Sequence, residues 1–503
     1  MSRVLLVGWD AADWKIIEPL VAARGLPNIT SLIREGVSGN IATIQPAISP
    51  MLWTSIATGK RPAKHGIHGF SEPSPDGMRV RPITSLGRRT KAIWNILNQS
   101  GKRCVVAGWW PSHPAEPIRG AMVSNHFATA GADSVAPMEP GTVWPGEWAD
   151  RLSALRIHEG GISDEMLRRF APDYDRIDQK RDTSVRDLAH LIAEGVNLHA
   201  AAAALMQQER WDFAAVYYVG IDHFSHRFMR YHAGKVERDR AGHDPQLFHE
   251  AVRNAYRWHD DMLGKLLQIA GADCAVMLVS DHGFHSDELL PEYIPAEAAG
   301  PTVEHRHFGI FCMRAPGVLR GHKISRASIV DLTPTVLHLF GLPTGQDMDG
   351  KVLIGAFERR KLRHPIPSWD DVPGEDGRHA SHRWYDTSDA AESLKQLVAL
   401  GYIAPPGDDA LRDVEECVTE NRYNLARALV DAGSVNEGAA ILCDLVARNP
   451  DQGRFYWHLF GCLAQQGDLG GNGQPAPRLR RGLCRVRRAG PAGVGATACR
   501  TAG

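Results

Sequence analysis

The sequence predicts an α/β fold built on a largely parallel sheet, and two observations carry that expectation. Short apolar runs of β-forming residues, at 4–7, 103–107, 213–219, 274–279 and 309–313, alternate with stretches of helical periodicity. Polar residues recur where several of these runs end: Asp10, Asp222 and the pair Asp281-His282. In open α/β sheets ligands bind beyond the carboxyl ends of the strands, so this placement also points to a site.

Taken in order, the run Val-Leu-Leu-Val at 4–7 ends in Gly8-Trp9-Asp10, and a helix follows near 27–34, stopped by Gly36. Residues 39–45 read as extended and turn into a helix over about 50–58. Ser49 stands at the N-cap position and Pro50 at the first helical position, which needs no N–H. Ser49 has two readings, a cap or a hydroxyl set in the positive potential of a helix N-terminus, a good place for phosphate. Residues 90–99 are helical with Gly101 as the stop, and 103–107 form a strand running into Gly108-Trp109-Trp110-Pro111. From 127 to 182 the rhythm breaks into Pro, Gly and charge, with short helical signals at 144–155 and 164–170, as in a cap inserted over an α/β core. A long helix over 184–208 precedes the strand 213–219, which ends in Gly220-Ile221-Asp222. A helix over 247–270 precedes the strand 274–279, which ends in Ser280-Asp281-His282-Gly283. A strand at 309–313 and a helix over 327–340 close the pattern.

The totals exclude several classes. A length of 503 residues exceeds one ordinary domain. A net charge of −1 and a pI near 7.1 give no electrostatic case for nucleic acid or a membrane surface as partner. Eight Cys without any Cys-x-x-Cys indicate neither a thiolate zinc site nor a disulfide framework. No run approaches the roughly 20 apolar residues of a membrane span, and no signal-type apolar region precedes the first strand. A cytoplasmic protein is expected.

The chemistry-bearing residues each have a bland alternative. Asp10 after a strand also suits a cap. Asp222-His-Phe-Ser-His226 sets a carboxylate and an imidazole on one helical face, as a solvated surface also does. Adjacent Asp281 and His282 at the end of a buried strand need partners, because a buried carboxylate without one is costly. His305, in His305-Arg-His307-Phe-Gly-Ile, opens the next strand and is equally a loop residue.

Together these residues make the chain resemble the alkaline phosphatase superfamily, in its branch of type I phosphodiesterases and nucleotide pyrophosphatases. The resemblance covers about residues 3 to 353. It includes Asp331-Leu-Thr-Pro-Thr-Val-Leu-His-Leu-Phe-Gly-Leu-Pro343 and Asp349-Gly350, similar to the family's last core helix and turn. It implies an alkaline phosphatase-like sheet sandwiched by helices, with Ser49 as nucleophile. It further implies Asp222, His226 and His305 as ligands of one metal ion, and Asp10, Asp281 and His282 of another that also binds Ser49; His307 is the alternative to His305. Oxygen and nitrogen donors without thiolate suit Zn²⁺ and admit Mn²⁺ or Fe²⁺. The implied reaction is hydrolysis of a small phosphate ester through a phosphoryl-serine, as in a phosphodiesterase or nucleotide pyrophosphatase. A phosphomonoesterase or phosphonate hydrolase using the same site is the alternative within enzymes, and an inactive metal-holding platform the alternative outside them.

The chain also departs from the family pattern. Nucleotide-cleaving relatives carry Asn three residues after the nucleophile, to contact phosphate; Leu52 stands there, so another donor is required. Lys60, Trp109, Trp110 and Asn125 are the candidates for substrate binding. Sulfatases need Cys- or Ser-x-Pro-x-Arg, and Met51 and Trp53 occupy the Pro and Arg positions, which excludes that reading.

The expected organisation is a catalytic domain over 1–354 with its cap at 127–182, a Pro/Gly-rich surface linker and connecting helix over 355–412, helices at 413–468, and a tail at 469–503. Leu425, Ala428, Leu429 and Gly433 recur 34 positions later as Leu459, Cys462, Leu463 and Gly467, the tetratricopeptide period, which suggests a protein partner. The tail holds seven Arg and no Asp, Glu or aromatic residue, and reads as disordered.

Overall fold

Six buried side chains in succession, Val4–Trp9, form β1 at the middle of a nine-stranded sheet. Strands numbered along the chain lie across it in the order β9 (His322–Ser328), β2 (Val37–Ala42), β8 (Phe308–Arg314), β7 (Ala275–Val279), β1, β6 (Phe213–Tyr218), β3 (Cys104–Ala107), β4 (Gly120–Val123) and β5 (Val143–Trp144). All run one way except β8 and β5. The computed structural model describes residues 3–128, 138–180, 182–234, 245–379 and 391–466, in two units, Met1–Val414 and Glu415–Gly503.

A sheet buried on both faces needs apolar residues in unbroken runs, which is what made its central strands legible. Leu5, Val7 and Trp9 meet the layer holding α1 (Trp14–Ala22), α2 (Pro27–Glu35), α5 (Ser184–Gln208), α6 (Gly220–His232) and α7 (Ala251–Ala270). Val4 and Leu6 point the other way, to α3 (Ser49–Thr58), α4 (Ile93–Gln99) and α8 (Leu332–Leu339). Among the described residues, α5 is long and apolar enough to cross a membrane, but 61% of that stretch is buried inside the fold.

Several boundaries differ from expectation for physical reasons. The strand β9, not expected, overlaps the start of the expected helix 327–340 and is an edge strand of sequence His-Lys-Ile-Ser-Arg-Ala-Ser; mostly exposed, it carries no apolar run to detect. The segment then turns at Ile329–Asp331 before α8. Most of the described part of the expected cap, 138–180, packs on the helical layer: Phe170 stacks on Phe224 at 5.2 Å and meets Trp258 edge-on at 5.5 Å. The expected linker is partly anchored. Trp369 is buried, and the Lys91 ammonium donates to the carbonyls of Trp369 and Val372, both at 2.8 Å.

The second unit contains most of α10 (Ala410–Asp431), α11 (Val435–Arg448) and α12 (Gly453–Gln466). Tyr423, Ala426, Leu442, Leu445, Phe455 and Leu459 form its core. Gly467 and the tail 469–503 lie outside the described residues.

Helix α7 places a neutral imidazole in the core. His259 is 1% exposed, donates from Nδ1 to the Ala255 carbonyl at 2.8 Å, and meets Trp9 and Tyr218 edge-on, each at 5.8 Å. Burial, with His199 adding to it, pulls its pKa down to about 4. A depressed folded-state value means that the unfolded chain binds the proton first. The stabilisation is therefore complete above about pH 6.5 and is lost as pH falls through about 4, by up to about 3 kcal/mol from this residue. Urea unfolding from pH 7 to 4 is expected to show a shallower acid limb in His259→Leu than in the unaltered chain.

Candidate active site

Each strand of the central group delivers its polar residue to the same edge. Asp10 follows β1, Asp222 sits in the first turn of α6 just after β6, and Asp281-His282 follow β7. His305 reaches that edge because β8 runs antiparallel to β7: Phe311 lies opposite Val279 and Arg314 opposite Val276, so β8 begins where its neighbour ends. The end of β2, with Ala42 opposite Phe308, leads the chain to α3 and Ser49 at the same place.

Two sets of donors form there. In one, His226 Nε2 lies 3.3 Å from Asp222 Oδ1 and 3.1 Å from His305 Nε2, and His305 Nε2 is 3.5 Å from Asp222 Oδ1. In the other, His282 Nε2 lies 3.2 Å from Asp10 Oδ1 and 3.5 Å from Asp281 Oδ2. Ligands 2.0–2.1 Å from a tetrahedral Zn²⁺ stand about 3.3 Å from one another, which is the range of these separations. The sets are neighbours, because the His282 and His305 rings stack with centroids 3.8 Å apart.

Surrounding residues aim these donors. Nδ1 of His226 donates to Glu304 Oε2 at 2.8 Å, Nδ1 of His305 to the Ala47 carbonyl at 3.1 Å, and Nδ1 of His282 to the Gly283 carbonyl at 3.0 Å. Each Nε2 is thereby turned to its set, the arrangement in which imidazole serves a metal. Asp10 Oδ2 accepts from Trp53 Nε1 at 3.1 Å and from the Tyr217 hydroxyl at 2.6 Å, while Asp222 Oδ2 accepts from the Tyr402 hydroxyl at 2.7 Å.

The inward atoms lack such partners. Asp10 Oδ1, Asp222 Oδ1, Asp281 Oδ2, His282 Nε2 and Ser49 Oγ are buried with no hydrogen bond. Orphaned buried polar atoms are rare and ask for an explanation, and cations at the two sets would satisfy them together. The electrostatics agree. Burial, with Asp10 beside it, pushes Asp281 well above the carboxylate range. Burial pulls His282 and His226 down, but Asp281 with Asp10 around the first, and Asp222 with Glu304 around the second, together outweigh it and lift them to about 10 and about 9. Three buried carboxylates thus hold whatever positive charge is offered, a demand that divalent ions fit.

Ser49 is tied to both sets through the chain on either side of it. Trp53, one helical turn on and on the same face, holds Asp10; Ala47, two residues back, holds His305. Ser49 Oγ caps nothing. The preceding residue Ile48 has the extended backbone of a cap, and the helix has no side-chain cap hydrogen bond.

The remaining candidates divide. Trp110 and Asn125 line a cavity together with His126, His223, Leu397 and Leu400. Asn125 Oδ1 is already engaged by the N–H groups of Ser112 and His113. Lys60 and Trp109 do not line that cavity. The Lys60 ammonium is paired with Asp347 and, at 2.7 Å, with Asp370. Trp109 is core, edge-on to Trp53 at 5.2 Å and donating to the Trp53 carbonyl. His307 is exposed and paired with Gln45, so His305 is the residue that joins the set. Of the expected cap's described residues, Ala128 alone lines the cavity.

Sequence reasoning missed the residues that grip the donors. Spacing from Ser49 is the signal that could have found Trp53, and a place beside His305 the one that could have found Glu304, whereas Tyr217 and Tyr402 carry no signal. A third group, His113, His126 and Glu139, brings ligand atoms together. Its imidazole rings stack at 4.0 Å and within 3° of parallel. An ion cannot lie in two parallel ring planes, so this group is a stacked pair beside a carboxylate.

Comparison with known proteins gives one family. The profile of type I phosphodiesterases / nucleotide pyrophosphatases matches residues 4–289, more than half of the chain. Comparison with curated proteins gives no match. Similar solved structures include human ectonucleotide pyrophosphatase/phosphodiesterase 5, at 13% identity and TM-score 0.40, covering 71% of this chain and 100% of that one. Another is the phosphonate monoester hydrolase of Agrobacterium radiobacter, at 15% identity and TM-score 0.41, covering 72% of this chain and 79% of that one.

Proposed function

Since the chain belongs to the type I phosphodiesterase/nucleotide pyrophosphatase family and is a metal-dependent phosphoric ester hydrolase, we propose that it cleaves phosphodiesters through a phosphoryl-serine formed on Ser49. The observation that carries this reading is the unpartnered, 1% exposed Ser49 Oγ at the head of α3, fixed through Trp53 and Ala47 to two donor sets. A buried hydroxyl without a hydrogen bond is costly unless a ligand completes it.

Two divalent ions, one at Asp10, Asp281 and His282 and one at Asp222, His226 and His305, would supply the positive charge that favours a serine alkoxide and neutralises phosphoryl oxygens. Ser49 Oγ attacks phosphorus in line and loses its proton as the O–P bond forms, while the ester oxygen opposite departs. Water then hydrolyses the phosphoryl-serine and restores the hydroxyl. Zn²⁺ suits the donors best, and Mn²⁺ and Fe²⁺ are admitted.

The surroundings favour a diester over a monoester. None of the described residues lining the adjacent cavity is Lys or Arg, and Lys60 is held by two aspartates. A monoester brings a second negative charge to be matched, whereas a diester brings a second ester group for a cavity walled by Trp110, Leu397 and Leu400. Purified protein assayed with Zn²⁺ or Mn²⁺ on chromogenic monoesters, diesters and phosphonate monoesters is expected to turn over the diester at least about tenfold faster by kcat/KM, a difference of about 1.4 kcal/mol in transition-state binding. A monoester preference would overturn the diester reading, and no turnover of any ester with any metal would favour a platform.

The 34-residue spacing supports a second, tetratricopeptide-like role for the C-terminal helices as a protein-binding surface. Trp457 on α12 is 66% exposed, an aromatic of the kind that anchors interfaces.

A further inference from the structure

The two donor sets are gripped by different parts of the chain. Asp10 is held by Trp53 and Tyr217, both within the family-matched span. Asp222 is held by Tyr402, 180 residues downstream of it and beyond that span. The segment carrying Tyr402 is built to deliver it. Helix α9 (Ala391–Ala399) ends where Gly401, at φ +74°, adopts the left-handed conformation that terminates helices. Its N–H bonds back to the Val398 carbonyl and that of Tyr402 to the Leu397 carbonyl, a Schellman closure that turns the chain inward. The Tyr402 carbonyl then accepts from Ala299 N–H, only a few residues before Glu304 and His305.

The ring is as firmly placed as the backbone. Tyr402 is 1% exposed and stacks on Phe70 with centroids 4.3 Å apart and planes within 10°. It also stands edge-on to His226 at 5.7 Å. Its hydroxyl lies 2.7 Å from Asp222 Oδ2 and 2.9 Å from His226 Nε2. With Nε2 turned to a cation, the hydroxyl retains one acceptor, Asp222 Oδ2, and leaves Oδ1 for the set. That is the part Trp53 and Tyr217 play for Asp10.

We infer that Tyr402 is a positioning residue for Asp222, and that the segment 391–402 is a component of the active site that sets the cation affinity of the Asp222–His226–His305 set. Leu397 and Leu400, from the same segment, wall the neighbouring cavity, so one stretch serves both the donors and the space for the ester's substituent. The catalytic unit accordingly extends past the expected boundary at 354. This inference rests on the reading of the two donor sets as metal sites.

The test uses full-length protein stripped by chelator and titrated with Co²⁺ alone, followed by the visible absorption of the bound ion and by competition with a chelator. Tyr402→Phe removes the hydroxyl and keeps the ring stacked on Phe70, so the fold is retained. It is expected to weaken one class of ion by about 10–100-fold, the usual effect of losing a residue that orients a ligand, and to leave the other class unchanged. A purely structural role for the tyrosine would move neither class. Asp222→Asn serves as reference and is expected to abolish the weakened class. If Asp222→Asn abolishes one class while Tyr402→Phe binds both as tightly as the unaltered chain, the role of Tyr402 is overturned. If Asp222→Asn loses no ion, the metal-site reading fails first.

Discussion

Ser49→Ala is expected to lower kcat for a chromogenic diester by about 10³-fold or more while leaving the protein at least as stable as before. The two halves of that statement separate the two roles a serine can have at this place. A capping hydroxyl bonds a free N–H, and its loss costs about 0.5–2 kcal/mol. Ser49 Oγ makes no such bond and is buried without any partner, so its removal takes away a desolvated group with nothing to compensate it. Ser49→Thr keeps a hydroxyl and is expected to retain measurable turnover, whereas Ser49→Asn is expected to fold and be inactive. The measurements are steady-state kinetics and urea unfolding on the same preparations. Wild-type turnover in Ser49→Asn would remove the serine from the mechanism. A stability loss of 1–2 kcal/mol in Ser49→Ala would restore the cap.

The central strands and the ends that carry Asp10, Asp222, Asp281 and His282 could be read from sequence because burial on both faces demands unbroken apolar runs, and a polar residue that interrupts such a run stands out. The convergence of His305 on the same place came only through the family resemblance and not from its local sequence, since it depends on β8 running against its neighbours, and short strands do not encode direction. Elements under weaker constraint were invisible. The edge strand β9 is largely solvated. Of β4, only Ala121, Met122 and Val123 are apolar, too short a run to separate from a loop.

Side-chain partners were the least legible. Lys60 follows the Thr-Gly that closes α3 and looked available, but it is neutralised by Asp347 and Asp370, 287 and 310 positions away. Trp109 and Trp110 are adjacent and identical in composition, yet successive side chains leaving a strand point oppositely. One fills the core against Trp53 and the other lines the cavity. Tyr402 sits in a segment whose local sequence says only that a helix stops at glycine. That its ring enters a site formed by residues before 306 is a fact of tertiary packing alone.

The second large effect is expected at Asp281, and its sign differs with and without metal. Asp10 and Asp281 are both fully buried and share His282, and burial with the neighbouring Asp10 charge pushes Asp281 well above its ordinary range. In chelator-treated protein Asp281 must keep a proton that the unfolded chain gives up, at a cost in folding free energy, so Asp281→Asn, which is neutral without that proton and nearly the same volume, is expected to raise the melting temperature of the metal-free chain. With metal present the order inverts. An ion bound at about a thousand times its dissociation constant stabilises the folded chain by about 4 kcal/mol, and the variant forfeits that contribution at one set. The unaltered protein is therefore expected to lose several degrees on chelation and the variant about half as much. Elemental analysis is expected to fall from about two ions per chain to about one, and kcat by about 10²-fold or more. Calorimetric scans with and without chelator, paired with metal analysis, read all of this on two proteins. An unaltered chain indifferent to chelator, or a variant that keeps both ions, would show that Asp10, Asp281 and His282 hold no metal, and the buried charge at the end of β1 would then have to be balanced by the proton that Asp281 retains.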